Sequence, residues 1–124
     1  MTGVQTCALP ISQYYARNEG LVYGKILSFC PLNWRTPDDG AEPVLQAAID
    51  SCFWPLYEVE HGHTTINYDP DAMGRRRPVT DWLQLMGKTR HLLSKGNTEL
   101  ELRLQAEVDR RWLRLKAMHE SEVL

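Results

Sequence analysis

Leu21-Val22-Tyr23-Gly24-Lys25-Ile26-Leu27-Ser28-Phe29-Cys30-Pro31 is the stretch on which the fold class turns. It is short, apolar and rich in strand-forming residues, with Asn18-Glu19-Gly20 before it as a turn signal. It reads as a largely buried strand. Proline cannot donate to a ladder and holds the preceding residue extended, so Cys30-Pro31 ends that strand. Leu32-Asn33-Trp34-Arg35-Thr36-Pro37-Asp38-Asp39-Gly40 then has the turn chemistry of an ordered loop, with Trp34 as its anchor.

Downstream, Pro43 suits the first turn of a helix, and Val44, Leu45, Ala48, Ile49 and Cys52 recur at helical spacing on one face. Trp54 to Glu60 and Thr64 to Tyr68, separated by His61-Gly62-His63, read as a β-hairpin. Asp69 to Gly74 is a turn-rich loop, followed by the basic run Arg75-Arg76-Arg77. Pro78 opens a helix whose Val79, Trp82, Leu83 and Met86 share a face, and Gly96-Asn97 closes that region. Thr98-Glu99-Leu100-Glu101 matches a capping box. Leu100, Leu104, Val108, Trp112 and Leu115 then form the apolar stripe of a last, amphipathic helix. On it Glu99 with Arg103 and Glu107 with Arg111 stand four apart in the favourable acid-first order. Strand, helix, hairpin and two C-terminal helices make an α/β chain.

The 124 residues are 43% hydrophobic and 24% charged, which suits one small globular domain. A net charge of −2 gives no basic surface for nucleic acid. The longest apolar runs, such as Cys52 to Tyr57, fall far short of the roughly 20 residues that span a bilayer. No membrane partner is expected. Met1 to Ser12 has no Lys or Arg ahead of its short apolar patch and makes no secretory signal, so a cytoplasmic location is expected. Three cysteines, Cys7, Cys30 and Cys52, are an odd number without regular spacing, which argues against a disulfide framework.

Residues 1–12 follow neither helical nor strand periodicity. They resemble the peptide obtained by translating a common sequencing adapter, and they are set apart as a non-native N-terminal segment. Residues 13–124 are then a native portion that begins within a longer protein. Two structural features agree with an incomplete domain. An apolar strand needs neighbours on both edges, and few strands are present to supply them. The stripe of the last helix also exceeds what so small a chain covers.

Cys30, at a strand end, is placed where ligand sites of open α/β sheets form. Position alone leaves it open whether its thiol faces such a site or is a small buried hydrophobe. Cys52, on an apolar helix face, reads as structural. Cys30, Cys52, His61 and His63 lack the paired spacing of a zinc site. His91 and His119 have no acidic or nucleophilic partner at a recognisable spacing and read as surface residues. Three arginines in a loop could grip a phosphate, but such a run is usually solvated. No phosphate-loop or nucleophile-elbow pattern occurs.

Ile26-Leu-Ser-Phe-Cys30-Pro-Leu-Asn-Trp34, Trp54-Pro-Leu-Tyr-Glu-Val-Glu60 and Arg77-Pro-Val-Thr-Asp-Trp-Leu83 with Met86-Gly87 together resemble the C-terminal part of the beta subunit of pyruvate:ferredoxin oxidoreductases. The resemblance runs from about Gly20 to Met118, and its most specific pieces are the Cys-Pro-x-x-Trp turn and Pro-Leu-Tyr-Glu. One departure stands out: the family commonly has Thr-Gly where this chain has Leu32-Asn33.

The resemblance implies the C-terminal part of a thiamine-diphosphate-binding domain. It implies a parent subunit that binds thiamine pyrophosphate, Mg2+ and a [4Fe–4S] cluster, with Cys30 as one of four cluster ligands. The implied reaction is CoA-dependent oxidative decarboxylation of pyruvate, or a related branched-chain or aryl 2-oxo acid, to an acyl-CoA and CO2, with electrons passing to ferredoxin. The implied partners are an alpha subunit, further subunits of the complex and ferredoxin. The other three cluster cysteines and the thiamine motif lie upstream in the family, so the chain alone is expected to hold neither cofactor and to be inactive. The rival expectation is a small cytosolic interaction domain without catalysis, docking a partner through Leu104, Val108, Trp112 and Leu115.

Overall fold

A computed structural model describes residues 8–17 and 20–122, and the side chains from residue 12 onward within them. Most of Met1 to Ser12, with Cys7, and the Asn18-Glu19 turn signal lie outside the described residues. In chain order the elements are α1 (Ala8–Arg17), α2 (Pro31–Trp34), α3 (Ala41–Asp50), β1 (Tyr57–Glu60), β2 (His63–Ile66), α4 (Val79–Gln84), a 3-10 turn (Arg90–Leu93) and α5 (Thr98–Glu120). α1 is a correction, since the sequence there shows no helical period. Pro10 falls in its first turn, where a missing N–H leaves no bond unmade.

The core is made where α3, α4 and α5 meet. Val44, Ala47 and Ala48 from α3, Val79, Trp82 and Leu83 from α4 with Met86 beyond it, and Val108, Trp112 and Leu115 from α5 form one buried cluster. These are the faces that the helical periods mark. α3 ends without glycine: Cys52 takes the left-handed conformation at φ 58° and is buried below the helix end. Beside it, the buried Asp50 carboxylate accepts the Tyr68 hydroxyl at 2.7 Å and the Gln46 amide at 2.9 Å. Asp50→Ala would strand both donors and is expected to lower stability by about 1–3 kcal/mol in a urea titration.

The hairpin forms as the sequence predicts. Tyr57 pairs with Ile66 and Glu60 with His63 in antiparallel register, and the two-residue turn His61-Gly62 has positive φ at both positions, 50° and 81°. Such a turn carries the right-handed twist of the flanking strands. β2 packs on α5, where the buried Thr64 offers its carbonyl to His119 Nδ1 at 3.1 Å.

Leu21 to Phe29 is not a buried strand. Leu21 is 100% exposed, Tyr23 82% and Ile26 80%. The sheet of the described residues consists of β1 and β2 alone. Strand propensity is satisfied only beside another strand, and this segment has no such neighbour among the described residues. It lies extended, with only Leu27 and Phe29 packed on the core and Lys25 over the ring of Trp54 at 4.7 Å.

Two further expectations change. α4 stops at Gln84 and the chain passes through Gly87 into the 3-10 turn, because Gly87 lies against Arg35. The capping box does not form. α5 starts after Asn97, which makes no side-chain cap; its amide instead donates back to the His91 carbonyl at 3.2 Å and to Ser94 Oγ at 3.0 Å. The acid-first pairs on α5 are present, Glu99 with Arg103 at 3.7 Å and Glu107 with Arg111 at 3.0 Å. The stripe is only partly covered: Val108, Trp112 and Leu115 are buried, while Leu100 stays 47% exposed. That burial removes Val108, Trp112 and Leu115 as the docking face of an interaction domain.

Candidate functional site

Cys30 ends the extended segment and stands at the N-terminal boundary of α2, with φ −136° and ψ 100°. The loop expected over Leu32 to Gly40 therefore begins as a single helical turn and is irregular from Arg35 onward. Pro31 occupies the first position, where its fixed φ helps and its missing N–H costs nothing. The Trp34 N–H closes the turn on the Cys30 carbonyl at 3.0 Å. Arg35, left-handed at φ 54°, stops it. The Cys30 thiol is free and exposed in this chain, not packed in its core as a small hydrophobe.

A turn this short has no stability of its own, so its position comes from tertiary contacts. Trp34 meets Phe29 edge to face with centroids 5.7 Å apart, and both rings pack on the core. On the other side the Gly87 N–H donates to the Arg35 carbonyl and the Lys88 N–H to the Trp34 carbonyl, each at 3.2 Å. Lys88 Nζ reaches Asn33 Oδ1 at 3.4 Å. Leu32 is 90% exposed and Asn33 is exposed too, so both side chains point away from the core.

Cys52 is of another kind. Burial pushes its thiol pKa up to about 12, against the weaker opposing pull of the Arg76 guanidinium. At neutral pH iodoacetamide should therefore alkylate Cys30 in the folded chain and spare Cys52, as peptide mass mapping would show. Labelling of both at equal rates would contradict this arrangement. The described residues contain no group of three or more His, Cys, Asp or Glu side chains that could hold a metal ion. A [4Fe–4S] cluster takes four ligands. The exposed Cys30 thiol could supply one of them.

The arginine run is neither a free phosphate grip nor merely solvated. Arg76 pairs with Asp109 on α5 at 2.5 Å and Arg77 with Asp81 on α4 at 3.3 Å. Arg76 borders a shallow cleft of about 260 Å³ with Asp71, Asp109, Trp112, Leu113 and Lys116. Asp71 Oδ2 accepts Trp112 Nε1 at 2.6 Å and Lys116 Nζ at 2.8 Å. The cleft's charges are thus spent on each other, tying the 69–77 loop to α5.

The bond from Lys116, and after it the bond from Trp112, holds the Asp71 pKa below the usual carboxylate value; the same bond raises that of Lys116. A lowered carboxylate pKa stabilises the fold above about pH 4 and the gain is lost as pH falls through the folded value. A raised lysine pKa stabilises below about pH 10 and the gain is lost as pH rises through the folded value. Asp71→Asn should accordingly lower the urea midpoint at neutral pH, with the difference from wild type closing on acidification. A difference that stays constant to low pH would contradict the latch.

Comparison with known proteins relates the chain to the beta subunits of 2-oxo acid oxidoreductases. It is 35% identical over 103 residues to pyruvate synthase subunit PorB of Thermotoga maritima, covering 82% of this chain and 31% of the relative. Against ketoisovalerate oxidoreductase subunit VorB of Pyrococcus horikoshii it is 32% identical over 91 residues, covering 73% of the chain and 28% of the relative. Pyruvate synthase subunit PorB of Methanocaldococcus jannaschii is 31% identical over 74 residues, 60% of the chain and 24% of the relative. The chain thus spans under a third of the length of the curated relatives it matches. The resemblance seen in the sequence is borne out. No family model and no solved structure matches. Among the described residues no helix is long and apolar enough to cross a membrane.

Neither the Gly87–Arg35 approach nor the Asp71 latch was foreseen. Gly87 was part of the family resemblance, yet a glycine needed for closeness to a remote segment leaves no local signal.

Proposed function

We propose that this chain is the C-terminal portion of the beta subunit of a cytoplasmic 2-oxoacid:ferredoxin oxidoreductase. That enzyme would convert pyruvate or a related 2-oxo acid and coenzyme A to acyl-CoA and CO2, with electrons leaving singly to ferredoxin. The observation that carries the proposal is the similarity over 82% of the chain to a pyruvate synthase subunit. The exposed Cys30 thiol at a held turn supports it.

Within that subunit Cys30 would be one thiolate ligand of a [4Fe–4S] cluster, and the other ligands would come from the part of the beta subunit that this chain does not span. Thiamine pyrophosphate with Mg2+ would activate the 2-oxo acid, and the cluster would carry the electrons away. The residues described here hold the sulfur in place: Pro31 fixes the entry to the turn, Trp34 anchors it, and the Gly87-Lys88 backbone binds its far end. The 124-residue chain by itself is proposed to bind neither cofactor and to be inactive, and residues 1–12 are proposed to be non-native.

The test is an assay of the whole complex containing this subunit, assembled with its alpha subunit and supplied with ferredoxin. CoA-dependent ferredoxin reduction with pyruvate or with 2-ketoisovalerate is the expected result. No reduction with either of these or with an aryl 2-oxo acid, in a complex loaded with thiamine pyrophosphate and iron, would refute the proposal.

A further inference from the structure

The last carbonyls of a helix have no partner within it and must find one elsewhere. At the end of α2 the carbonyls of Trp34 and of its cap Arg35 find theirs in the backbone of Lys88 and Gly87, at 3.2 Å each. That pairing demands close approach. A Cβ on Gly87 would stand 2.8 Å from Arg35 Cβ and 2.9 Å from the Arg35 carbonyl oxygen, nearer than real Cβ contacts come. Gly87 is thus the residue that lets the 86–89 passage clasp the far end of the Cys30 turn.

Resting on the reading of Cys30 as an iron ligand, we infer that Gly87 and Lys88 are positioning residues for the Cys30 sulfur. The passage is itself fixed. Thr89 Oγ1 donates to the Leu83 carbonyl at 2.7 Å, and the Arg90 N–H to the Met86 carbonyl at 3.0 Å. Met86, next to Gly87, is buried in the core. The clasp therefore refers the turn to the packed helices rather than to solvent. α2 is only about 6 Å long and its Trp34 N–H is bonded to the Cys30 carbonyl, so a displacement at Arg35 is passed on to Cys30. A cluster's potential depends on its surroundings, including hydrogen bonds and exposure at the sulfurs, and these follow the ligand's position.

The experiment is Gly87→Ala in the whole oxidoreductase complex, read by electron paramagnetic resonance and redox titration alongside activity. The expected result is a retained cluster with displaced g values and midpoint potential. With a misplacement of 1 Å worth up to about 10²-fold in rate, kcat should fall roughly tenfold with the KM for the 2-oxo acid little changed. Gly96→Ala, where nothing lies within 4 Å of the new Cβ, should change none of these. Arg35→Gly added to Gly87→Ala removes the 2.8 Å contact and relieves the left-handed residue at φ 54°, and should return the potential part of the way. Should Gly87→Ala fail to assemble, the double variant is measured in its place and is expected to show a displaced potential. Unchanged g values and potential in the variant that assembles would overturn the clasp. The ligand reading fails separately, if Cys30→Ser leaves the cluster's spectrum intact.

Discussion

Trp112→Ala is expected to lower the stability of the folded chain by about 3–5 kcal/mol, the loss usual for deleting a buried aromatic side chain. Trp112 is 3% exposed at the centre of α5, and its indole N–H also donates to Asp71 at 2.6 Å. Alanine removes both the packing surface and one of the two α5 donors to Asp71 on the 69–77 loop. Domains of this size are stable by only about 5–15 kcal/mol, so the change approaches the whole margin. Thermal unfolding followed by circular dichroism should show a midpoint lower by roughly 10–20 °C. Trp112→Phe, which keeps most of the ring and loses the N–H, should sit between the two. A fall of less than about 3 °C for the alanine variant would mean that α5 is not held as described.

Leu83→Ala is the second large effect, about 2–5 kcal/mol, because Leu83 is 4% exposed and its cavity would open inside the α3–α4–α5 cluster. This site also bears on the Cys30 turn. The Leu83 carbonyl receives Thr89 Oγ1 at 2.7 Å, at the base of the passage that carries Gly87. Backbone amide exchange should therefore quicken at Gly87 and Lys88 beyond what the global loss of stability explains. Ala47→Gly on α3 lies in the same core but away from that passage, and should quicken exchange there only in step with global stability. Equal behaviour of the two variants would detach the passage from the core.

α3, α4 and α5 were legible because their apolar periods are met by one another, whereas α1 and the single turn α2 show no such period. Val44, Val79, Trp82, Leu83, Met86, Val108 and Trp112 all fall on the buried side. The hairpin was legible from strand-formers around a glycine; its outer limits moved inward, and His63 pairs with Glu60 rather than lying in the turn. What could not be read depended on remote partners. Leu21 to Phe29 has the composition of a strand, but composition does not supply a neighbouring edge, and the segment lies exposed. The capping box failed because Asn97, one residue earlier, began the helix while turning its amide to His91 and Ser94. Arg76 finds Asp109 33 residues away, beyond any local window.

The candidate site was legible in one residue. Cys30 drew notice through Pro31 and Trp34, and the fold gives each of those a task, Pro31 at the start of the turn and Trp34 as its anchor. The clasp from Gly87 and Lys88 stayed hidden because it is made by backbone atoms, whose partners no residue pattern announces.

Cys30, proposed as a cluster ligand of a 2-oxo acid oxidoreductase beta subunit, is tested most directly by electron paramagnetic resonance of the dithionite-reduced complex with Cys30→Ser. The account predicts loss or marked alteration of one [4Fe–4S] signal, with the iron content of the beta subunit reduced and Cys52→Ser unchanged. A Cys30→Ser complex with the full iron content and an unaltered spectrum would contradict it.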